Sequence, residues 1–327
     1  MTQFAIRHLT CFKYEKPVHF SRSNLRLEPI AWPGQTLVSH SITINPGGQL
    51  APAPLRSALV NLTRLIIPGA TTSLEIISES LVSVERTPQL SWLGEPSIAE
   101  VGRLARESVD NSDLSPANFL YPSSFIPMDA AIADWSAEAL AGDRSVFAAA
   151  YELAVRIQRE FRYDPNATMA ETPPAEAFAA RAGVCQDFSQ IMICALRAAG
   201  IPAAYASGYI RTEPAPGQDR LQGADATHGW VMVWCGPEKG WLGLDPTNGI
   251  AMGGDHIVMA VGRDYLDIAP IDGVFNGYGA QEIFVEVDVE AFSEQEDAAV
   301  EAGIEPVRPF QGADPIYFGV TGANAID

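Results

Sequence analysis

Basic residues are scarce: 21 lysines and arginines stand against 40 aspartates and glutamates, for a formal net charge of −19. A chain this acidic repels phosphate backbones and anionic headgroups, which argues against nucleic acid and membrane surfaces as partners. Long apolar runs are also missing. No stretch of 18 consecutive apolar residues occurs, so no membrane span is expected. The opening MTQFAIRHLTCFKY alternates polar and apolar residues and lacks the continuous apolar segment of a signal peptide. Cysteine is rare, and Cys11, Cys185, Cys194 and Cys235 form no CxxC pair and no framework spacing, which suits a reducing compartment. Glycine-rich phosphate loops are absent too, since the GGD at Gly253 has no lysine and no helix pattern behind it. What is present is a globular composition, 47% hydrophobic. Together these features predict a soluble cytoplasmic protein with chain enough for about two domains.

The hydrophobic period changes along the chain. From Phe4 to about Val84 it is two: Phe4, Ile6, His8, Thr10, Phe12 and Tyr14 form one face of a strand. Val38, His40, Ile42 and Ile44 repeat the pattern, as do Val60, Leu62, Arg64 and Ile66. Pro29, Pro33-Gly34, Pro46-Gly47-Gly48 and Pro68-Gly69 punctuate these runs, which predicts a small antiparallel β-sandwich over residues 1–88. From Asp129 the period becomes 3.6. Asp129 caps a helix carrying Ile132, Trp135 and Leu140. Val146, Phe147, Ala150, Leu153, Ala154, Ile157 and Phe161 stripe a second helix behind Asp143 and Ser145. Thr172-Pro173-Pro174 opens a third. Residues 89–124 read as a linker with one helix, 125–289 as the catalytic domain, and 290–327 as an acidic tail in which Phe310, Ile316, Tyr317 and Phe318 are candidates to dock. The fold class is α+β.

One stretch carries chemistry: GVCQDFSQIMICALRAAGIPA, from Gly183 to Ala203. Phe188, Ile191, Met192, Ala195, Leu196 and Ala199 recur at helical spacing, so Val184 to Ala199 is a helix that Gly200 and Pro202 end. Cys185 lies in its first turn, at the positive end of the dipole, where a nucleophilic thiolate would sit. Cys194, in mid-helix, reads as a core residue. Position alone leaves Cys185 open between that role and a nucleophile.

A nucleophilic thiol needs a base, and there are five histidines. His8, His19 and His40 belong to the strand region, and His256 follows Gly253-Gly254-Asp255 on a predicted loop. His228 instead begins HGWVMVW, the start of a strand; CGPEKG is a turn, and WLGLDP returns as a second strand to Asp245. The point midway between 228 and 245 falls inside that turn. The two side chains are therefore expected as cross-strand neighbours, with the carboxylate orienting the imidazole.

GVCQDF, LRAAGIPAAYASGYI, DATHGWVMVW and GWLGLDPTNG resemble the transglutaminase-like superfamily, in its bacterial branch of cysteine proteases. The resemblance implies a papain-like/transglutaminase-like core of helices packed on an antiparallel sheet, with nucleophile, base and acid at Cys185, His228 and Asp245. IRHLTCFKYEKPV and LRLEPIAWPGQ resemble the amino-terminal β domain that accompanies this branch, and HIVMAVGRDYLDIAPIDGVFNG also matches. The chain departs from the pattern at Gly229, where alanine is more usual, and at Ser189 and Gln190, where alanine and histidine are. An acid-and-glycine turn expected around Ser57 to Thr63 is missing, and the tail has no counterpart.

The expected reaction is acyl transfer from a peptide or carboxamide, with the oxyanion on the Cys185 backbone N–H. Ala179, six residues before the cysteine, leaves no papain-like glutamine as a second donor. Water is the default acceptor, an amine the alternative. A silent peptide-binding module, or a scaffold whose acidic tail recruits a basic partner, are the competing classes. No cofactor is expected. A zinc site from Cys185, Cys194, Cys235 and His228 lacks paired-ligand spacing. Asp187 reads as structural, and Trp230, Trp234 and Trp241 as core or cleft wall. Tyr209 lines either cleft or sheet, and Arg263 binds either a substrate carboxylate or a neighbouring acid.

Overall fold

The alternation at the amino terminus folds into β1 (Thr2–Val18), which buries Phe4, Ile6, His8 and Thr10. β2 (Phe20–Glu28), β3 (Gln35–Asn45), β4 (Gln49–Pro52), β5 (Leu59–Ile67) and β6 (Thr71–Val84) follow. These coordinates are a computed structural model. They describe residues 1–53, 58–88, 96–141, 143–211, 226–292 and 317–318. Ser57, Phe310 and Ile316, singled out above, lie outside the described residues.

The remaining elements are α1 (Ile98–Arg106), α2 (Ala130–Ser136), α3 (Val146–Glu160), β7 (Arg162–Tyr163), α4 (Pro174–Ala180), β8 (Ala182–Gly183) and α5 (Cys185–Ala198). After them come β9 (Ala203–Ile210), β10 (Ala226–Trp234), β11 (Trp241–Asp245), β12 (Ile250–Ala251), β13 (His256–Gly262), α6 (Tyr265–Ile268), β14 (Ile271–Asn276), β15 (Gln281–Phe292) and β16 (Tyr317–Phe318). The predicted caps form: Asp129 accepts the N–H of Ile132 at 2.9 Å, and Ser145 that of Ala148. The stripe of α3 is buried, and it packs with α5, β10 and β11 into the main core. The architecture is α+β, with an amino-terminal antiparallel region followed by helices on an antiparallel sheet.

Two large sheets carry the fold. A five-stranded sheet runs β16-β15-β1-β6-β3, and a nine-stranded sheet runs β12-β11-β10-β9-β13-β5-β2-β14, with β4 on β5. Leu25, Leu27, Leu65 and Ile67 of the larger sheet meet Leu74 and Ile76 of the smaller, which makes the expected sandwich. One of its layers is continuous with the catalytic sheet, because β13 pairs with β5 at Ala260–Val60 and Val261–Leu59.

Sequence boundaries at 88, 124 and 289 therefore do not coincide with the sheets. β14 and β15 lie inside the stretch assigned to the catalytic domain, yet they pair with β2 and β1. In the stretch read as a linker, α1 buries Ile98, Val101 and Ala105 in the main core. β5 also corrects the alternation: Leu65 and Ile67 are buried and Arg64 is exposed. The strand serves two partners, β13 at one end and β2 at the other, and its register with β2 shifts between Leu25 and Glu28.

His8 sits where the two sheets meet, with Nδ1 2.8 Å from the Tyr209 hydroxyl and Nε2 3.0 Å from Thr10 Oγ1. Burial pushes its imidazole down to about 4. The folded value lies below the unfolded one, so the unfolded chain takes up the proton first and stability falls as pH drops from about 6.5 towards 4. The loss is expected to reach about 3 kcal/mol between pH 7 and 4. Urea titrations of wild type and His8→Gln at the two pH values check this. The variant should lose less, and equal losses would remove His8 from the account.

Candidate active site

The segment before α5 is a self-contained device for starting the helix. Val184 is extended (φ −115°, ψ −177°), and the Asp187 carboxylate reaches back to accept its N–H at 2.8 Å. The same oxygen accepts the Thr168 hydroxyl at 2.6 Å. A Cβ on Gly183 would lie 2.5 Å from that oxygen, so only glycine leaves room. Burial pushes the Asp187 carboxyl up, against the pull of these two hydrogen bonds. Its role is to fix the first turn, and with it Cys185, which is half-buried at the helix start. Asp187→Ala strands two donors and is expected to cost about 2 kcal/mol. A thermal melt unchanged from wild type would contradict that role.

His228 and Asp245 meet, though not in the expected register. The hairpin pairs Val231 with Leu244 and Trp234 with Trp241, so Asp245 lies two residues away from the position directly opposite His228. A two-residue offset keeps the same face, and the carboxylate still reaches: His228 Nε2 is 2.8 Å from Asp245 Oδ2. The other ring nitrogen is left for Cys185, which also acts on the imidazole. Burial alone would lower the imidazole, but the hydrogen bonds to Asp245 and Cys185 prevail and raise it to about 10. Burial likewise opposes ionisation of Asp245, and the hydrogen bonds from His228 and His256 overcome it, holding its carboxyl below the usual carboxylate range.

Asp245 is fully buried and saturated. Oδ1 accepts the backbone N–H groups of Thr247 (2.9 Å) and Asn248 (3.2 Å). Oδ2 accepts His228 Nε2, Asn248 Nδ2 at 2.6 Å and His256 Nε2 at 3.3 Å. His256 was expected on a loop; it is the first residue of β13 and is buried. His228, Asp245 and His256 bring their ligating atoms within 4.8 Å, the spacing of a metal site. The five hydrogen bonds already occupy the carboxylate, so an ion would have to displace the His228–Asp245 contact.

Around the sulfur stand tyrosines that the sequence did not single out. Burial first, and then negative charge at Cys185, raise the phenols of Tyr163 and Tyr205; at Tyr265 burial leads, with Glu171 and Cys185 adding to it. Tyr163 lies within FRYDP and stays exposed, a signal readable as a polar aromatic ahead of the nucleophile. Gly229 gains a reason: a Cβ there would lie 2.1 Å from the Tyr205 hydroxyl. Ser189 ties α5 to the strand of His228 by donating to the Gly229 carbonyl at 3.0 Å.

Other residues resolve. Tyr209 faces His8 between the sheets rather than the cleft. Arg263 closes on Asp267 at 2.9 and 3.0 Å. Trp230 is buried and stacks on His228, Trp241 donates to the Leu114 carbonyl, and Trp234 is core. Cys194 and Cys235 are buried, and neither joins the site.

A cysteine at a helix start, a strand histidine and a hairpin aspartate, on helices packed against an antiparallel sheet, define the architecture of transglutaminase-like proteins. The chain belongs to the transglutaminase-like superfamily: residues 133–246 match it, and residues 4–83 match the bacterial transglutaminase-like N-terminal region. An uncharacterized protein of Mycobacterium tuberculosis strain H37Rv is 33% identical over 307 residues, covering 89% of this chain and 93% of that protein. A protein-glutamine gamma-glutamyltransferase of Pseudomonas aeruginosa is 36% identical over 124 residues, 35% of this chain and 18% of that protein. A solved structure from Cytophaga hutchinsonii, provisionally named a cysteine protease, shares the fold with a TM-score of 0.69 at 18% identity, covering 89% of this chain and 91% of that one.

Proposed function

We propose that this protein is a cysteine-dependent acyl-transfer enzyme acting on peptide or carboxamide bonds, with Cys185 as nucleophile, His228 as base and acid, and Asp245 as orienting acid. The carrying observation is that His228 Nε2 lies 2.8 Å from Asp245 Oδ2 while Cys185 is among the groups that raise its imidazole. The thiolate adds to the carbonyl carbon. The oxyanion takes the Cys185 backbone N–H, which has no intrahelical acceptor in the first turn. Imidazolium returns its proton to the leaving nitrogen as the carbon–nitrogen bond breaks, leaving a thioester. Water, activated by His228, then releases the acid and regenerates the thiol. Hydrolysis is the favoured outcome. Transfer to an amine is the second reading, supported by the likeness of the core region to a gamma-glutamyltransferase.

Iodoacetamide labelling at pH 5.5 tests the pair without a substrate. A thiolate held by imidazolium should alkylate about a hundredfold faster than a free thiol whose pKa is near 8.5. Labelling no faster than a free thiol would favour a silent binding module on the same frame.

A further inference from the structure

His256 reaches Asp245 from an unexpected distance in the sheet. β13 and β11 are separated by β9 and β10, three strand spacings or roughly 14 Å of backbone. The face between them has room for the Trp230 ring because Gly208 on β9, paired with both His228 and Val258, has no side chain. A Cβ at Gly208 would lie 2.6 Å from the Trp230 ring. Trp230 also packs edge-on against His256. The Nδ1 of His256 accepts the Gly253 N–H at 3.3 Å, which leaves Nε2–H to donate to Asp245.

Two residues of the amino-terminal region hold this part of β13. Gln35, 4% exposed, uses its amide as a strand edge: Nε2 donates to the Val258 carbonyl at 2.7 Å, and Oε1 accepts the Val258 N–H at 2.8 Å. It does so beside the register shift at Val258–Ala260, short of the β5 ladder, which pairs only Ala260 and Val261. Arg86 donates from one guanidinium nitrogen to the His256 carbonyl at 2.8 Å and the Gly253 carbonyl at 3.3 Å, while Nε and its other nitrogen reach Pro33. The hold is therefore on the backbone of the residue whose side chain touches the acid.

We propose that His256 is a positioning residue for Asp245, and that the amino-terminal β region acts on the site through it, by way of Gln35 and Arg86. This rests on the assignment of Cys185, His228 and Asp245 above. The donor from His256 keeps Oδ2 aligned on His228 and compensates the buried carboxylate when the imidazole moves its proton. Among the described residues, the titratable groups around the Cys185–His228 pair are Asp245, His256, Asp187, Tyr163, Tyr205 and Tyr265.

The test uses the full chain and two readouts, NMR titration of the His228 ring and the pH profile of Cys185 alkylation. His256→Ala is expected to lower the His228 midpoint and slow alkylation at pH 5.5 about tenfold, the share of one hydrogen bond to a charged group. His256→Gln, whose amide can still donate, should recover most of it. Arg86→Met and Gln35→Leu should shift both readouts in the same direction by a smaller factor. A folded His256→Ala with the wild-type His228 midpoint and profile overturns the proposal. If that variant does not fold, wild-type values in both Arg86→Met and Gln35→Leu overturn it. Slow alkylation of the wild type together with a shifted His228 would instead sink the acyl-transfer assignment and leave the positioning role standing.

Discussion

Cys185→Ala is expected to reduce acyl-transfer turnover by on the order of 10⁵-fold, the scale of loss when the nucleophile of a triad is removed. Its melting temperature should stay within about 2 °C of wild type. The two halves of this expectation have separate causes. On the proposed chemistry turnover would depend on the sulfur of Cys185, because no other described cysteine lies at the site: Cys194 and Cys235 are buried in the core, and Cys11 stands on β1 against Glu75. Helix initiation depends instead on Gly183, Val184 and Asp187, whose hydrogen bonds involve no atom of the Cys185 side chain. Cys185→Ser should keep the fold and still fail, since a hydroxyl is far weaker as a nucleophile at the same place. Turnover retained in the alanine variant would mean that the reaction runs elsewhere.

The second large effect separates histidine from aspartate. Wild-type Cys185 should alkylate rapidly at pH 5.5, because His228 keeps its proton across the neutral range, its value raised to about 10 by the hydrogen bonds to Asp245 and Cys185. Asp245→Asn keeps the shape but removes the buried negative charge. An opposite charge at this distance shifts a neighbour by about one to three pH units, so low-pH alkylation should slow about ten- to a hundredfold. His228→Ala should slow it further, because only the helix dipole then favours the thiolate. The predicted order of rates at pH 5.5 is wild type, Asp245→Asn, His228→Ala. Equal rates in all three, near that of a free thiol, would show that no pair operates.

How far the site could be read in the sequence follows from how local each contact is. Cys185 declares itself through a helix with its own start and stop. His228 and Asp245 share one hairpin whose turn the sequence places correctly; the pairing was off by two residues, but the parity held, so the right faces met. His256 was lost because its contact crosses two strands, and strand order is not written in any one segment. A local signal did exist: in HIVMAVG a short continuous apolar run follows directly on His256, the pattern of a strand buried on both faces. The sandwich was legible in its turns and alternation, whereas the return of β14 and β15 to it was not. Their pattern, IDGVFN and QEIFVEVDVEAF, names strands without naming partners. β5 misled because its register with β2 shifts, and its buried parity changes between Leu62 and Leu65.

The most direct test of cysteine-dependent acyl transfer is mass spectrometry of a peptide library incubated with the full chain, with and without an added primary amine, beside the Cys185→Ala protein. The expected result is cleaved or deamidated peptides from the wild type alone, with a transient acyl adduct on Cys185 and only minor incorporation of the amine. Dominant amine incorporation would reverse the preference for water. Spectra identical for wild type and Cys185→Ala, under both conditions, would contradict the enzyme assignment itself.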